Sequence, residues 1–175
     1  LNGTTTGCGK KCTWKIEEGT NKLIIEGSGT MYDFVEGEAP WYKNRSMIIS
    51  ISISGISSIG NYCFYQNAKL EKISIPNTVN SIGTFAFKGC SGINEITIPN
   101  TITTIKNSAF KGCNKITEIT IPSSVSSFGK NVFESCTGLE SIIFEGSTCS
   151  IGDESFIGCN NLKTVNFGTQ IKSIG

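Results

Sequence analysis

From Leu70 to the end of the chain one 23-residue pattern recurs in register, and no other feature restricts the fold as strongly. Leu70, Ile93, Ile116, Leu139 and Leu162 form one column. Ile73, Ile96, Ile119, Ile142 and Val165 form the next, followed by Ile75, Ile98, Ile121, Phe144 and Phe167. Val79, Ile102, Val125 and Ile171 keep the step, with Thr148 interrupting them. Ile82, Ile105, Phe128, Ile151 and Ile174 come after, then Phe87, Phe110, Phe133 and Phe156. Three residues beyond each Phe stands a cysteine: Cys90, Cys113, Cys136 and Cys159. The consensus is LxxIxIPxxVxxIGxxAFxGCxx. An earlier, damaged copy is visible: Ile56, Ile59 and Phe64 fit the columns, Asn67 takes the cysteine position, and Ile51 and Ile53 sit one residue out of step. A one-residue deletion between that strand and Ile56 accounts for the slip.

The IxI segment reads as a strand with alternate residues inward. Pro76, Pro99 and Pro122 end it, because proline cannot donate to a ladder. VxxIG is a second, shorter extended piece, and AFxGC is long enough only for a helical or 3₁₀ turn. Each copy then makes one circuit and returns beside its predecessor, so the strands form a parallel sheet and like residues stack about 4.8 Å apart. Six buried apolar side chains do not offset the entropy of ordering a whole coil, so a lone coil does not fold; stacked neighbours do. The composition agrees: isoleucine occurs 26 times against five leucines, and Ser and Thr together number 39.

Residues 1–46 depart from the repeat. Trp14–Ile16 and Leu23–Glu26 read as two strands of a hairpin turning through 17–21. Gly27–Met31 is a loop signal, and Ala39-Pro40-Trp41-Tyr42 places two aromatic residues where they would plug the first coil. We therefore divide the chain into an N-terminal cap, 1–46, and about five and a half coils over 47–175. The sequence stops partway through a copy, and a free coil edge invites aggregation, so the native protein is expected to continue beyond Gly175.

Several function classes are disfavoured. The net charge is +1, without the basic excess or stripe of a nucleic-acid binder. No apolar run approaches the length of a membrane span. Histidine is absent, which removes the commonest general base and zinc ligand. Glu95 and Glu118 share a column at a spacing a glycosidase could use. The column begins with Lys72 and continues to Ser141, so pairing with lysine is the plainer reading. The recurrent glycines (Gly60, Gly83, Gly129 and Gly152) belong to turns; Lys106 in their column shows that a positive φ is not required there. No enzyme activity and no cofactor are expected. Two glycosylation sequons, Asn2-Gly-Thr4 and Asn44-Arg-Ser46, are no more than chance supplies in a chain so rich in Asn, Ser and Thr.

The consensus closely resembles the BspA-type leucine-rich repeats, and TTGCGKKCTW (5–14), LIIEGSGTM (23–31) and APWY (39–42) resemble that family's N-terminal segment. The resemblance implies a right-handed leucine-rich-repeat solenoid. It also implies a cell-surface or secreted protein used in adhesion to host proteins, extracellular-matrix proteins or cells, with no shared catalytic residue. Cys12 and Cys63 are uncommon choices for their slots. A structural stalk spacing other domains and an intracellular protein-interaction scaffold are the alternative readings.

Eight cysteines fall below disulfide-scaffold density. In the Cys90–Cys159 column, neighbours about 4.8 Å apart lie within disulfide range, but parallel Cβ vectors disfavour bridging. Zinc lacks both the ligand spacing and histidine. Buried free thiols fit best, and Asn67 in their column suggests hydrogen bonding to turn backbone. Cys63 shares the column of Ala86, Ala109, Val132 and Ser155 and reads as core filler. Cys8 and Cys12, four apart in the cap, can form a disulfide in the oxidising setting that surface display implies. Cys149 has no assigned role. The expected partner-binding face is the exposed side of the main sheet: Lys72, Ser74, Glu95, Thr97, Glu118, Thr120, Ser141, Ile143, Thr164 and Asn166. It is rich in hydroxyls and lacks a Trp/Tyr/Arg cluster of the kind that dominates interfaces.

Overall fold

A computed structural model describes residues 7–146, 149–169 and 171–175. Strand β1 (Gly9–Glu17) and strand β2 (Lys22–Met31) form an antiparallel hairpin, with Asn21 left-handed at φ 51° in the turn. β2 then pairs in parallel with β3 (Ser50–Ile59), setting Leu23 beside Ile51 and Ile25 beside Ile53. The second strand of the hairpin therefore also opens the parallel stack. The slip in the damaged copy is real. Ile51 faces Ile73 of β4 (Lys72–Ser74), while Ile59 faces Ile82 of β5 (Ser81–Ile82). The register thus moves on by one position along a single unbroken strand, which has no proline to end it.

Each later coil contributes one inner strand and one two-residue strand. The inner strands are β4, β6 (Glu95–Thr97), β8 (Glu118–Ile121), β10 (Ser141–Phe144) and β12 (Thr164–Asn166). The short strands are β5, β7 (Thr104–Ile105), β9 (Ser127–Phe128), β11 (Ser150–Ile151) and β13 (Ser173–Ile174). All pairings among them are parallel and keep the step of the repeat. The ladders are not continuous: β6 pairs with β4 and β8 with β10, but β6 and β8 do not pair, and neither do β9 and β11.

The AFxGC turns make i→i+3 backbone hydrogen bonds, as between the Cys90 N–H and Phe87 O at 3.0 Å. They do not propagate into helix, because two residues per turn are left-handed: Tyr62 and Gln66, Phe85 and Gly89, Ser108 and Gly112, Asn131 and Ser135, Glu154 and Gly158. The same turns are laced to the next coil: the Phe87 N–H donates to Ala109 O and the Gly89 N–H to Lys111 O, both at 2.8 Å. The one 3₁₀ helix among the described residues is Tyr42–Asn44.

Inside the rod the phenylalanines stack. Ring centroids are 5.1 Å apart from Phe64 to Phe87, 5.4 Å to Phe110, 5.5 Å to Phe133 and 6.4 Å to Phe156. Trp41, one period before Phe64, extends the column at 5.8 Å and donates its indole N–H to Cys63 O at 2.6 Å. It is fully buried and closes the first coil; Tyr42 is half-buried and packs against the same core at its edge. The column glycines are explained by close approach. A Cβ on Gly83 would come within 2.5 Å of the Gly60 carbonyl carbon, and one on Gly60 within 2.0 Å of Tyr32 O.

Candidate functional site

The ten outward sheet residues fall in two rows. Lys72 stands beside Glu95, and Ser141 between Glu118 and Thr164; one step along, Ser74 stands beside Thr97, and Ile143 between Thr120 and Asn166. Thr120, Ser141 and Ile143 are half-buried and the other seven are exposed. The unpaired interval between β6 and β8 divides the face into two groups. At that interval lies a cleft of about 380 Å³ lined by Ile96, Thr97, Ile98, Glu118, Ile119, Thr120, Pro122 and Glu145. Its lining combines the apolar residues Ile96, Ile98, Ile119 and Pro122 with two threonines and the carboxylates of Glu118 and Glu145. A smaller hollow of about 210 Å³ lies over Lys72, Ser74, Glu95 and Thr97. Lys72 Nζ lies 2.9 Å from Glu95 Oε2, and that partner raises the lysine pKa. The pairing occupies Glu95 with a cation, while Glu118 stands across the unpaired interval on β8.

Three further ion pairs join successive coils: Lys111 with Glu134 at 2.6 Å, Lys163 with Glu140 at 2.8 Å, and Lys130 with Asp153. Each links a residue to its equivalent one repeat away, because the coils bring like positions together. Among the described residues no group of three or more Cys, Asp or Glu side chains is placed to hold a metal ion.

The cysteine column is buried, completely so at Cys90, Cys113 and Cys136. Cys90, Cys113, Cys136 and Cys159 are free thiols, each donating to the carbonyl of the Phe 26 residues earlier, at 2.9, 3.3, 3.1 and 3.0 Å. Burial pushes Cys90 and Cys136 up to about 12 and Cys113 well above its ordinary value. Such thiols remain protonated donors and poor nucleophiles. Asn67 makes a weaker substitute: its amide N–H reaches Tyr65 O at 3.5 Å, and its side-chain oxygen is buried without a partner among the described residues. Cys63 is buried, its thiol also raised by burial, and Cys149 is buried and free. Cys8 and Cys12 are joined as a disulfide, their Cα atoms 5.4 Å apart.

A second surface was not read from the sequence. On the turn edge of the first coils, Tyr42, Tyr62, Tyr65 and Phe85 form a connected aromatic group, with Arg45 and Lys88 over their rings. The signal lay in the columns that carry no consensus residue. Tyr62 and Phe85 precede Ser108, Asn131 and Glu154, and Tyr65 precedes Lys88, Lys111 and Glu134.

A family model described as the BspA type leucine rich repeat region matches residues 57–175 in six copies. The chain belongs to the BspA-type leucine-rich repeat family. This BspA-type chain is also similar in fold to solved structures. One is the T. pallidum leucine rich repeat protein TpLRR, with 21% identity over 95% of this chain and 84% of that one and a TM-score of 0.73. A leucine-rich repeat protein from Bacteroides ovatus ATCC 8483 gives 22% identity over 95% of this chain and 54% of that one, with a TM-score of 0.62. A third, a leucine rich cell surface protein from Faecalibacterium prausnitzii A2-165, gives 21% identity over 90% of this chain and 53% of that one, with a TM-score of 0.57. The chain thus spans about half the length of the latter two. No curated protein sequence matches it. The BspA-type chain is a leucine-rich-repeat solenoid, a repeat module of a kind that generally binds proteins and generally carries no catalysis. No helix of the described residues is long and apolar enough to cross a membrane.

Proposed function

We propose that this chain is a noncatalytic protein-binding module of a cell-surface or secreted protein, working in adhesion to host or extracellular-matrix proteins or cells. The observation that carries the reading is the outward sheet face. Its side chains stand in two rows along the rod, seven of the ten exposed, beside a cleft whose lining mixes isoleucines with Glu118 and Glu145. Solenoids present such extended surfaces to partners. The Cys8–Cys12 bridge suits an oxidising compartment, and a structural neighbour is described as a cell surface protein. Within this reading, residues 1–46 cover the stack and 47–175 present the face.

Binding of the chain to an immobilised panel of extracellular-matrix proteins tests it by surface plasmon resonance. Saturable binding below about 10 μM, a free energy near 7 kcal/mol, that weakens in a Glu118→Lys, Thr120→Lys variant supports adhesion through this face. Absence of binding to the whole panel at several times that concentration refutes it and leaves the stalk reading.

A further inference from the structure

The turn edge of the first coils differs from the rest of the rod in three respects. The first is the kind of side chain carried at a left-handed position. Tyr62, Phe85, Ser108, Asn131 and Glu154 occupy one column, all left-handed, with φ between 54° and 58°. The later coils fill the position with the polar residues Ser108, Asn131 and Glu154, whereas a bulky ring there is an outlier that the surroundings must hold in place. The core does not ask for rings at these positions. The inward places two residues on belong to Phe64 and Phe87, which are fully buried, while Tyr62 and Phe85 are half-exposed.

The second is the continuity of the rings. Tyr62 meets Phe85 at 4.9 Å and Tyr65 at 5.5 Å, and Tyr65 stacks on Tyr42 at 6.3 Å. Tyr65 is fixed by donating its hydroxyl hydrogen to Glu36 Oε1 at 2.6 Å, and Tyr42 by donating to Gln66 Oε1 at 3.1 Å.

The third is charge. The Arg45 guanidinium lies 4.1 Å from the Tyr42 ring centre, and Lys88 Nζ lies 5.0 Å from Phe85 and 5.5 Å from Tyr65. Among the described residues, Arg45, Lys69 and Lys88 have no carboxylate within salt-bridge distance. One coil further on, Lys111 follows Lys88 in its column and is already satisfied by Glu134. A depression of about 520 Å³, lined by Arg45, Gln66, Lys69 and Gly89, opens beside the rings.

We propose that this edge is a docking site for an acidic segment of a partner protein. Its carboxylates engage Arg45, Lys69 and Lys88, and its apolar side chains lie against Tyr42, Tyr62 and Phe85, with the buried Tyr65 supporting those rings from beneath. Tyr and Arg are the residue types that dominate interface energetics, and cations held over rings with no internal counter-ion complement a negative partner. The inference rests on the protein-binding reading but not on the sheet face.

The test is fluorescence anisotropy with a fluorescein-labelled copolymer of glutamate and tyrosine, with labelled polylysine and heparin alongside. Saturable binding of the copolymer is expected, weakening with added salt. It should fall at least about tenfold in an Arg45→Ala, Lys88→Ala variant. The same loss is expected in Tyr62→Asn, Phe85→Asn, which restores the side-chain type found later in the column and should leave the melting temperature unchanged. Lys72→Ala, on the sheet, should bind as the parent does. Copolymer binding that is unchanged in both double variants, or no stronger than polylysine binding, overturns the proposal. So does tighter binding of heparin than of the copolymer, which would assign the edge to sulfated polysaccharide. Patch variants that lose the copolymer yet keep matrix-protein binding support the docking site and leave adhesion to the sheet. Loss of matrix binding only in sheet variants, with the copolymer never bound, removes the docking site alone.

Discussion

Truncating Phe110 to alanine removes the middle of the aromatic column. Its ring is completely enclosed, with Phe87 at 5.4 Å and Phe133 at 5.5 Å on its two sides, the former within 2° of parallel. A buried Phe→Ala change costs about 3–5 kcal/mol. Phe110 loses two ring contacts as well, each worth about 0.5–1.5 kcal/mol, which places it at the top of that range. Phe156 is the comparison: it is half-buried and has one stacked neighbour, at 6.4 Å. Its truncation should cost about 1–2 kcal/mol, in proportion to the smaller area removed from water. Urea denaturation followed by circular dichroism, extrapolated linearly, measures both. The expected result is a loss at Phe110 at least twice that at Phe156. Equal losses, or a loss below about 1 kcal/mol at Phe110, would refute the claim that stacked coils share one continuous core.

Other consequences follow from single contacts. Gly83→Ala should destabilise by about 1–3 kcal/mol in the same assay, since the new methyl meets Gly60 and Asn61 backbone atoms at 2.5–2.7 Å. Trp41→Phe should cost about 1–3 kcal/mol, because the Cys63 carbonyl loses the indole N–H that satisfies it. Alkaline pH should destabilise the protein through the thiol ladder. Folded-state pKa values raised above the free value mean that this stability is complete below about pH 8.5 and is lost as pH rises towards about 12, by about 1.4 kcal/mol per thiol per pH unit. A Cys113→Ala variant should show a shallower fall of melting temperature between pH 8 and 10 than the parent. Ellman's reagent at pH 8 should react with the column cysteines only after unfolding, and then count six thiols per chain without reductant.

The sequence pattern specified the rod but not its irregularities. Period and hydrophobic alternation placed Ile73, Ile96 and Phe87 inside, and the one-residue slip at Ile51 and Ile53 emerged as a change of ladder offset. The role of β2 was hidden because Leu23 and Ile25 stand more than one full repeat ahead of Ile51 and Ile53, off the step, although they occupy the same layer. Trp41 does lie on the step, but a tryptophan in a phenylalanine column after a proline reads as cap rather than as the first member of the stack. The lapse between β6 and β8 could not be read locally at all. The residues on its two sides are identical, Glu-Ile-Thr-Ile-Pro at 95–99 and at 118–122, so the cleft arises from how coils settle on each other. The aromatic edge was missed for a different reason: attention to consensus positions passes over columns that vary, and variation from Tyr62 and Phe85 to Ser108 and Asn131 is what sets that edge apart.

The most direct measurement is a solution one. In a sample with phenylalanine rings selectively labelled by residue, nuclear Overhauser contacts should connect Phe64 to Phe87, Phe87 to Phe110 and Phe110 to Phe133, consistent with centroid separations of 5.1–5.5 Å. No contact should join Phe64 to Phe110. Rings of Phe87 and Phe110 that show no contact with each other, or that meet residues outside the column instead, would contradict the coil-on-coil account.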